Sequence, residues 1–115
     1  MKFWNTLMET TEIDPAIKDD VQKDYLHVKE KFKALNISME EDAELVFSNH
    51  IIALLKRIRE RRFVEDMSDS FDEVKPEVFQ MAEDLVEEEF RKEGLAVDKT
   101  EAFLIATHLT MALEK

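Results

Sequence analysis

Two histidines stand in similar sequence surroundings and carry the functional interpretation of this chain. His50 lies in the run VFSNHII, and His108 lies in the run FLIATHL. On a helix, at about 100° per residue, each imidazole falls at the border of an apolar face. Imidazole is the side chain that takes up a proton, a metal ion or a phosphoryl group near neutral pH. The pattern indicates chemistry or signalling, with a packed core histidine as the alternative for each residue alone. His27, which stands among charged residues, is predicted to be an ordinary surface residue.

Charged residues accompany the two histidines at helical spacing. Arg57 lies two turns after His50, and Arg61 lies one further turn along nearly the same line. Glu101 lies two turns before His108 on the same side. Guanidinium groups beside a partly exposed imidazole favour an anion such as a transferred phosphoryl group. Because apolar residues surround His108 more closely, we expect it to be the more buried ring and His50 to be the preferred acceptor.

Composition and charge exclude several classes of protein. A net charge of −11 argues against a general attraction to nucleic acid or to an anionic membrane. The basic run at residues 56–62 has no interleaved aromatic residues and suits the negative end of a helix dipole instead. The absence of cysteine excludes disulfides and thiolate chemistry. No apolar stretch reaches the roughly 20 residues of a membrane span, and the N-terminus lacks a signal-peptide core, so we expect a cytoplasmic protein.

Helix boundary signals predict an all-α fold in one domain. Of the 115 residues, 44% are hydrophobic and a single one is glycine. Residues 1–12 predict a short amphipathic helix that either covers the core or anchors a partner. With four longer helices in antiparallel contact, the expected architecture is a compact bundle of about five helices. The first longer helix is predicted from Asp14 to Leu35, and the second from the capping box Ser38 and Glu41 to Arg61. The third is predicted from Lys75 or Pro76 to before Gly94, and the fourth from the capping pair Asp98 and Glu101 to the C-terminus. Residues 64–73 are predicted to form a mobile polar loop.

The segments around the two histidines resemble the PTS regulation domain, a regulatory module of bacterial sugar-responsive transcription antiterminators and activators. The first string is Asn49 His50 Ile51 followed by Arg57, and the second runs from Glu101 to Leu109 through His108. The similarity covers residues 14–114, with the two histidines at the separation and in the helix order that the family shows.

This resemblance implies a five-helix bundle, frequently dimeric, whose histidines accept phosphoryl groups. The donor would be the histidine phosphocarrier or a sugar-specific component of the phosphotransferase system. His50 and His108 are the implied acceptors, and Asn49, Arg57 and Glu101 are neighbours that match the motif. Such a domain is not an enzyme and needs no metal or cofactor. Family members usually carry two copies behind an RNA-binding or DNA-binding domain, whereas this chain has room for one copy, so we expect a stand-alone member without direct nucleic-acid binding.

Two other functions remain as alternatives. The first is a helical interaction or dimerisation module without any phosphoryl transfer. The second is a magnesium-dependent all-α nucleotide hydrolase, since several carboxylates recur at the three- and four-residue spacing that such enzymes use. Acidic runs on helices are more often solvated faces, and the chain contains no Glu-x-x-His pair of the ferritin-like kind. The carboxylates in question are Glu41, Glu44, Glu83, Asp84, Glu87 and Glu88.

Overall fold

A computed structural model describes residues 3–9 and 11–113, and all of the regular secondary structure within these residues is helical. The predicted all-α class is therefore confirmed. The radius of gyration of 13.5 Å is that of a compact domain of this length. None of the helices within residues 3–9 and 11–113 has the length and hydrophobicity needed to cross a bilayer. The elements are α1 (Trp4–Met8), α2 (Pro15–Ala34), α3 (Glu41–Glu60), a short 3-10 helix (Ser68–Glu73), α4 (Pro76–Lys92) and α5 (Lys99–Leu113).

Capping residues start and stop most helices where the sequence predicts. The Asp14 side chain accepts a hydrogen bond of 2.9 Å from the Ala16 amide at the start of α2. Helices α2, α3 and α4 are each followed closely by a residue in the left-handed conformation, which ends the helical hydrogen bonding. These residues are Asn36 (φ 57°), Arg61 (φ 56°) and Gly94 (φ 72°).

The predicted capping box at the start of α3 is wrong. The helix begins at Glu41, and its N-cap position is occupied by Glu40 in an extended conformation, so Ser38 lies outside the helix. Ile37 and Met39 pack against the core and hold this connection extended. Acidic residues in the first turn of α3 interact favourably with the positive end of the helix dipole. This interaction stabilises the start of the helix in the absence of the predicted cap.

The segment predicted as a mobile polar loop at residues 64–73 contains the 3-10 helix Ser68–Glu73. Phe71 anchors this turn, because its ring lies 5.2 Å from the Phe79 ring on α4 and 5.5 Å from the Phe103 ring on α5. Aromatic pairs at these distances add stabilisation beyond the area they bury. An aromatic residue in a largely polar stretch therefore gives the connection a defined position.

Apolar faces of α2 to α5 meet in one core, and α1 covers part of it. Trp4 is 3% exposed, and its ring lies 5.6 Å from that of Tyr25 on α2. The expectation that residues 1–12 would cover the core is confirmed for α1, while Met1, Lys2 and Thr10 lie outside the described residues. The broad apolar stripe of α3 is buried inside the bundle, with Phe47, Ile51, Ile52, Leu54, Leu55 and Ile58 all in the core.

Candidate functional site

His50 on α3 and His108 on α5 face each other. The centroids of their imidazole rings are 5.0 Å apart, and the ring planes are tilted by 55°. Phe47, one turn before His50, places its ring 5.9 Å from that of His108 in an edge-to-face arrangement. The two histidines therefore lie on the same side of the bundle.

Arg57 and Glu101 form a second contact between the same two helices. Arg57 donates from Nε to Glu101 Oε2 and from Nη2 to Glu101 Oε1, both at 2.7 Å. The Glu101 side chain is fully buried, and this two-pronged pairing satisfies its charge. Because a carboxylate already holds Arg57, its guanidinium is not the unpartnered anion receiver that the sequence suggested.

Because Glu101 pairs with Arg57, only half of the capping box predicted at the start of α5 is formed. The Glu101 amide donates to Asp98 Oδ1 at 3.1 Å, so the first half of the capping box is present. The Glu101 carboxylate, which would complete the box by reaching back to Asp98, binds Arg57 instead. The glutamate thus serves the contact between helices rather than the end of its own helix.

Burial favours the neutral form of both imidazoles. The pKa of His50 is lowered from 6.5 to about 4, first by burial and then by electrostatic interaction with His108 and Arg57. Burial also lowers the pKa of His108. A neutral imidazole has one nitrogen with a free lone pair. Both rings are therefore in the form that attacks an electrophile or binds a cation.

The predicted order of burial of the two rings is wrong. His50 Nε2 is inaccessible to solvent and has no hydrogen-bond partner within the described part of the chain. His108 instead lines a groove of about 240 Å³ on the surface. The helical register places His50 between two packed helices, an effect that counting residues on one helix does not show. Both residues are half-buried, and His108 is the one that borders open space at the surface.

The groove beside His108 is apolar and was not predicted from the sequence. Val46 on α3 is 57% exposed, and Met111 on α5 is 72% exposed. These are large apolar side chains just outside the core-facing stripes, a signal that could have been read from the sequence. The groove is lined by Met39, Ala43, Val46, His108, Met111 and Ala112.

Two other predicted site residues lie at the surface of α3 and just beyond its end. Asn49 is exposed beside His50. Arg61 follows the last residue of α3, about three turns from His50, and its Nη2 donates to the Glu93 carbonyl at 2.9 Å. The structure therefore brings together His50, His108, Arg57 and Glu101 and directs Arg61 towards the end of α4.

His27 lies elsewhere, between α2 and α4. Its Nε2 is 3.1 Å from Glu88 Oε2, and its Nδ1 is 3.0 Å from Glu89 Oε2. His27 is exposed, as predicted, but it is not an ordinary surface residue, because both ring nitrogens contact carboxylates of another helix. Glu89, which is buried and 1% exposed, was not among the site residues predicted from the sequence.

Carboxylates that suggested a magnesium-dependent hydrolase are largely engaged with cations or amides. Glu44 pairs with Lys29, Glu83 with Lys99, and Glu87 with Arg91, while Asp84 accepts from Gln80. Across residues 3–9 and 11–113, one group of three potential metal ligands converges, and it consists of His27, Glu88 and Glu89. No convergent magnesium cage is formed by the acidic residues of α3 and α4 in that part of the chain.

A known protein family matches most of the chain, including the residues of this site. The chain matches the family model described as PRD domain over residues 25–112, a range that includes both facing histidines and the Arg57–Glu101 pair. Searches among curated proteins and among solved structures give no significant match. The family match covers well over half of the chain. The chain belongs to the PRD family, the regulation domains of the sugar phosphotransferase system.

Proposed function

We propose that this domain accepts a phosphoryl group on His108, with His50 as a second acceptor. The donor is a phosphohistidine of the histidine phosphocarrier or of a sugar-specific phosphotransferase component. The observation that supports this most directly is the pair of neutral imidazoles 5.0 Å apart, of which His108 opens onto a surface groove.

The proposed transfer requires no general base in this chain. The lone pair of a neutral His108 nitrogen attacks the phosphorus atom, and the N–P bond of the donor phosphohistidine breaks with its electron pair returning to the donor imidazole. The other nitrogen of His108 then releases its proton to solvent and the donor imidazole takes one up, so both rings end neutral. The lowered pKa of His108 supports this step because a protonated ring would have no lone pair to offer. Since the energy of one N–P bond replaces that of another, the transfer is close to balanced and reversible.

His50 has a different position in this scheme. Its buried Nε2 meets a donor only if α3 and α5 move apart locally. Asn49, exposed one residue earlier, would offer its amide to phosphoryl oxygens at the surface. We therefore assign His50 as the later acceptor, with a slower response than His108.

Phosphorylation would alter the electrostatics of the contact between α3 and α5. It replaces a neutral ring with a group that carries about −1.5 to −2 charges at pH 7. Arg57, whose charge already reaches His50, keeps unused N–H groups beyond the two that bind Glu101. The phosphoryl group and the buried Glu101 would then compete for Arg57, and this competition couples modification to helix packing.

A second copy of the chain is the proposed partner for the groove. The apolar stripe of α3 is already buried in the monomer, and the two most exposed large apolar side chains in the described part of the chain, Val46 and Met111, both lie at the groove. In a symmetric dimer built on this groove, His108 would lie at the interface. A phosphoryl group there would place negative charge in an apolar contact and weaken it.

A labelling experiment tests the function. The protein is incubated with phosphoenolpyruvate, the first enzyme of the phosphotransferase system and its histidine phosphocarrier, and acid-labile phosphate is measured. We expect label on the wild type and on a His27→Ala control, and none on a variant with both His50→Ala and His108→Ala. Label that persists in the double variant would contradict the site assignment. No label on a folded wild type with its cognate donor would leave the apolar groove as the functional feature, as in a plain interaction module.

A further inference from the structure

His27 is held between two carboxylates that come from a different helix. Glu88 Oε2 lies 3.1 Å from Nε2, and Glu89 Oε2 lies 3.0 Å from Nδ1. The Glu89 side chain is 1% exposed, whereas those of His27 and Glu88 are close to half exposed. The cluster therefore has one buried ligand and two that are accessible from solvent.

Counting protons shows that this arrangement favours a bound cation. A neutral imidazole has one N–H group and one lone pair, and a carboxylate only accepts hydrogen bonds. With a neutral His27, one of the two contacts sets a lone pair against a carboxylate oxygen. A proton or a metal ion on that nitrogen removes the conflict.

The surrounding charges leave the cluster with an excess of negative charge. Lys31 Nζ lies 3.3 Å from Glu89 Oε1 and so neutralises one of the two carboxylates. With a neutral His27, the second carboxylate, Glu88, leaves about one unit of negative charge at the cluster. A divalent cation would satisfy both this charge and the lone pair of the imidazole.

We propose that His27, Glu88 and Glu89 bind a divalent transition-metal ion, with Zn²⁺ as the preferred ion. Each residue offers one ligand atom, and these atoms lie within 4.8 Å of one another. An imidazole nitrogen with two carboxylate oxygens suits Zn²⁺, which binds such ligands at about 2.0–2.2 Å and accepts water as a fourth ligand. Magnesium is a poorer match because it prefers an octahedral shell of oxygen atoms.

Zinc would connect α2 and α4 through these side chains. Ligand atoms of a tetrahedral zinc site are roughly 3.3 Å apart, so the cluster has to contract, and the half-exposed side chains of His27 and Glu88 are free to rotate for this. The bound ion would cross-link the two helices and stabilise the bundle. This site shares no residue with the His50–His108 pair, and the proposal does not depend on phosphoryl transfer.

Zinc titration of the untagged, chelator-treated protein tests the proposal. At a pH about one unit above the ordinary imidazole pKa, calorimetry should show one Zn²⁺ per chain, and the unfolding temperature should rise with Zn²⁺ concentration. His27→Ala and Glu88→Gln should each weaken Zn²⁺ binding by about tenfold or more. Both residues are half exposed, and circular dichroism verifies that each variant is folded.

Two controls make the result specific. Glu87→Gln removes the neighbouring carboxylate, which pairs with Arg91 on the surface, and should leave Zn²⁺ affinity unchanged. The variant with His50→Ala and His108→Ala should also bind one Zn²⁺. The proposal is overturned if the wild type binds no Zn²⁺, if His27→Ala and Glu88→Gln bind it as the wild type does, or if binding is lost with the other two histidines.

Discussion

Arg57 and Glu101 are joined across α3 and α5 by two hydrogen bonds of 2.7 Å. Arg57 lies seven residues after His50, and Glu101 lies seven residues before His108. On antiparallel helices these equal steps make two layers of contact, one ionic and one of imidazoles, separated by about two turns. The ion pair thus fixes the register in which the two rings meet.

Breaking this pair should destabilise the protein strongly. Arg57→Ala leaves the carboxylate of Glu101 buried without its partner, and we expect a loss of about 3 kcal/mol in the free energy of unfolding. Chemical denaturation followed by circular dichroism measures it. As the matched control, Arg91→Ala breaks a solvent-exposed pair with Glu87 and should cost less than about 0.5 kcal/mol. Equal effects of the two substitutions would mean that the Arg57–Glu101 pair has no special structural role.

The lowered pKa of His50 predicts a specific loss of stability in acid. Below about pH 6.5 the unfolded chain binds a proton at His50, whereas the folded ring stays neutral until about pH 4. The free energy of unfolding therefore decreases as the pH is lowered through this window. We expect His50 to contribute roughly 2 kcal/mol of this loss between about pH 7 and about pH 5. His50→Gln should lose less stability than the wild type over that interval, measured by denaturant unfolding at both pH values. Identical pH dependence in the two proteins would contradict the burial of a neutral ring.

Local signals in the sequence were sufficient for most of the fold. Asp14 with Pro15, Asp98, and the left-handed Asn36 and Gly94 mark helix ends through interactions within a few residues. Such interactions depend little on the rest of the chain. Ser38 failed as a cap because the packing of its neighbours on the core overrode the local preference.

Features that depend on two helices were harder to predict. The relative burial of His50 and His108 is set by how α3 packs on α5, and a helical wheel of either helix alone cannot show it. The partner of Arg57 is 44 residues away in the chain. In the sequence, Glu89 is one of several acidic residues in a row. Its burial against His27 depends on the packing of α2 on α4.

Substitutions in the groove test the proposed dimer. Met111→Glu and Val46→Glu place a charge on the apolar surface beside His108 and should shift the protein from dimer to monomer, as measured by light scattering at high micromolar concentration. Leu26→Glu is the control, because Leu26 is an exposed apolar residue on α2, away from the groove. A wild-type protein that is monomeric at this concentration, or a dimer that survives both groove substitutions, would refute the assignment of this interface.

Site-resolved phosphorylation tests the central claim most directly. The domain is phosphorylated through the phosphocarrier, the modified histidine is located by mass spectrometry that preserves phosphohistidine, and initial labelling rates are compared for His108→Ala and His50→Ala. We predict that most of the phosphate is on His108 and that His108→Ala slows labelling by about tenfold or more, with a smaller effect of His50→Ala. Phosphate found mainly on His50 or His27, with labelling unaffected by His108→Ala, would contradict the account.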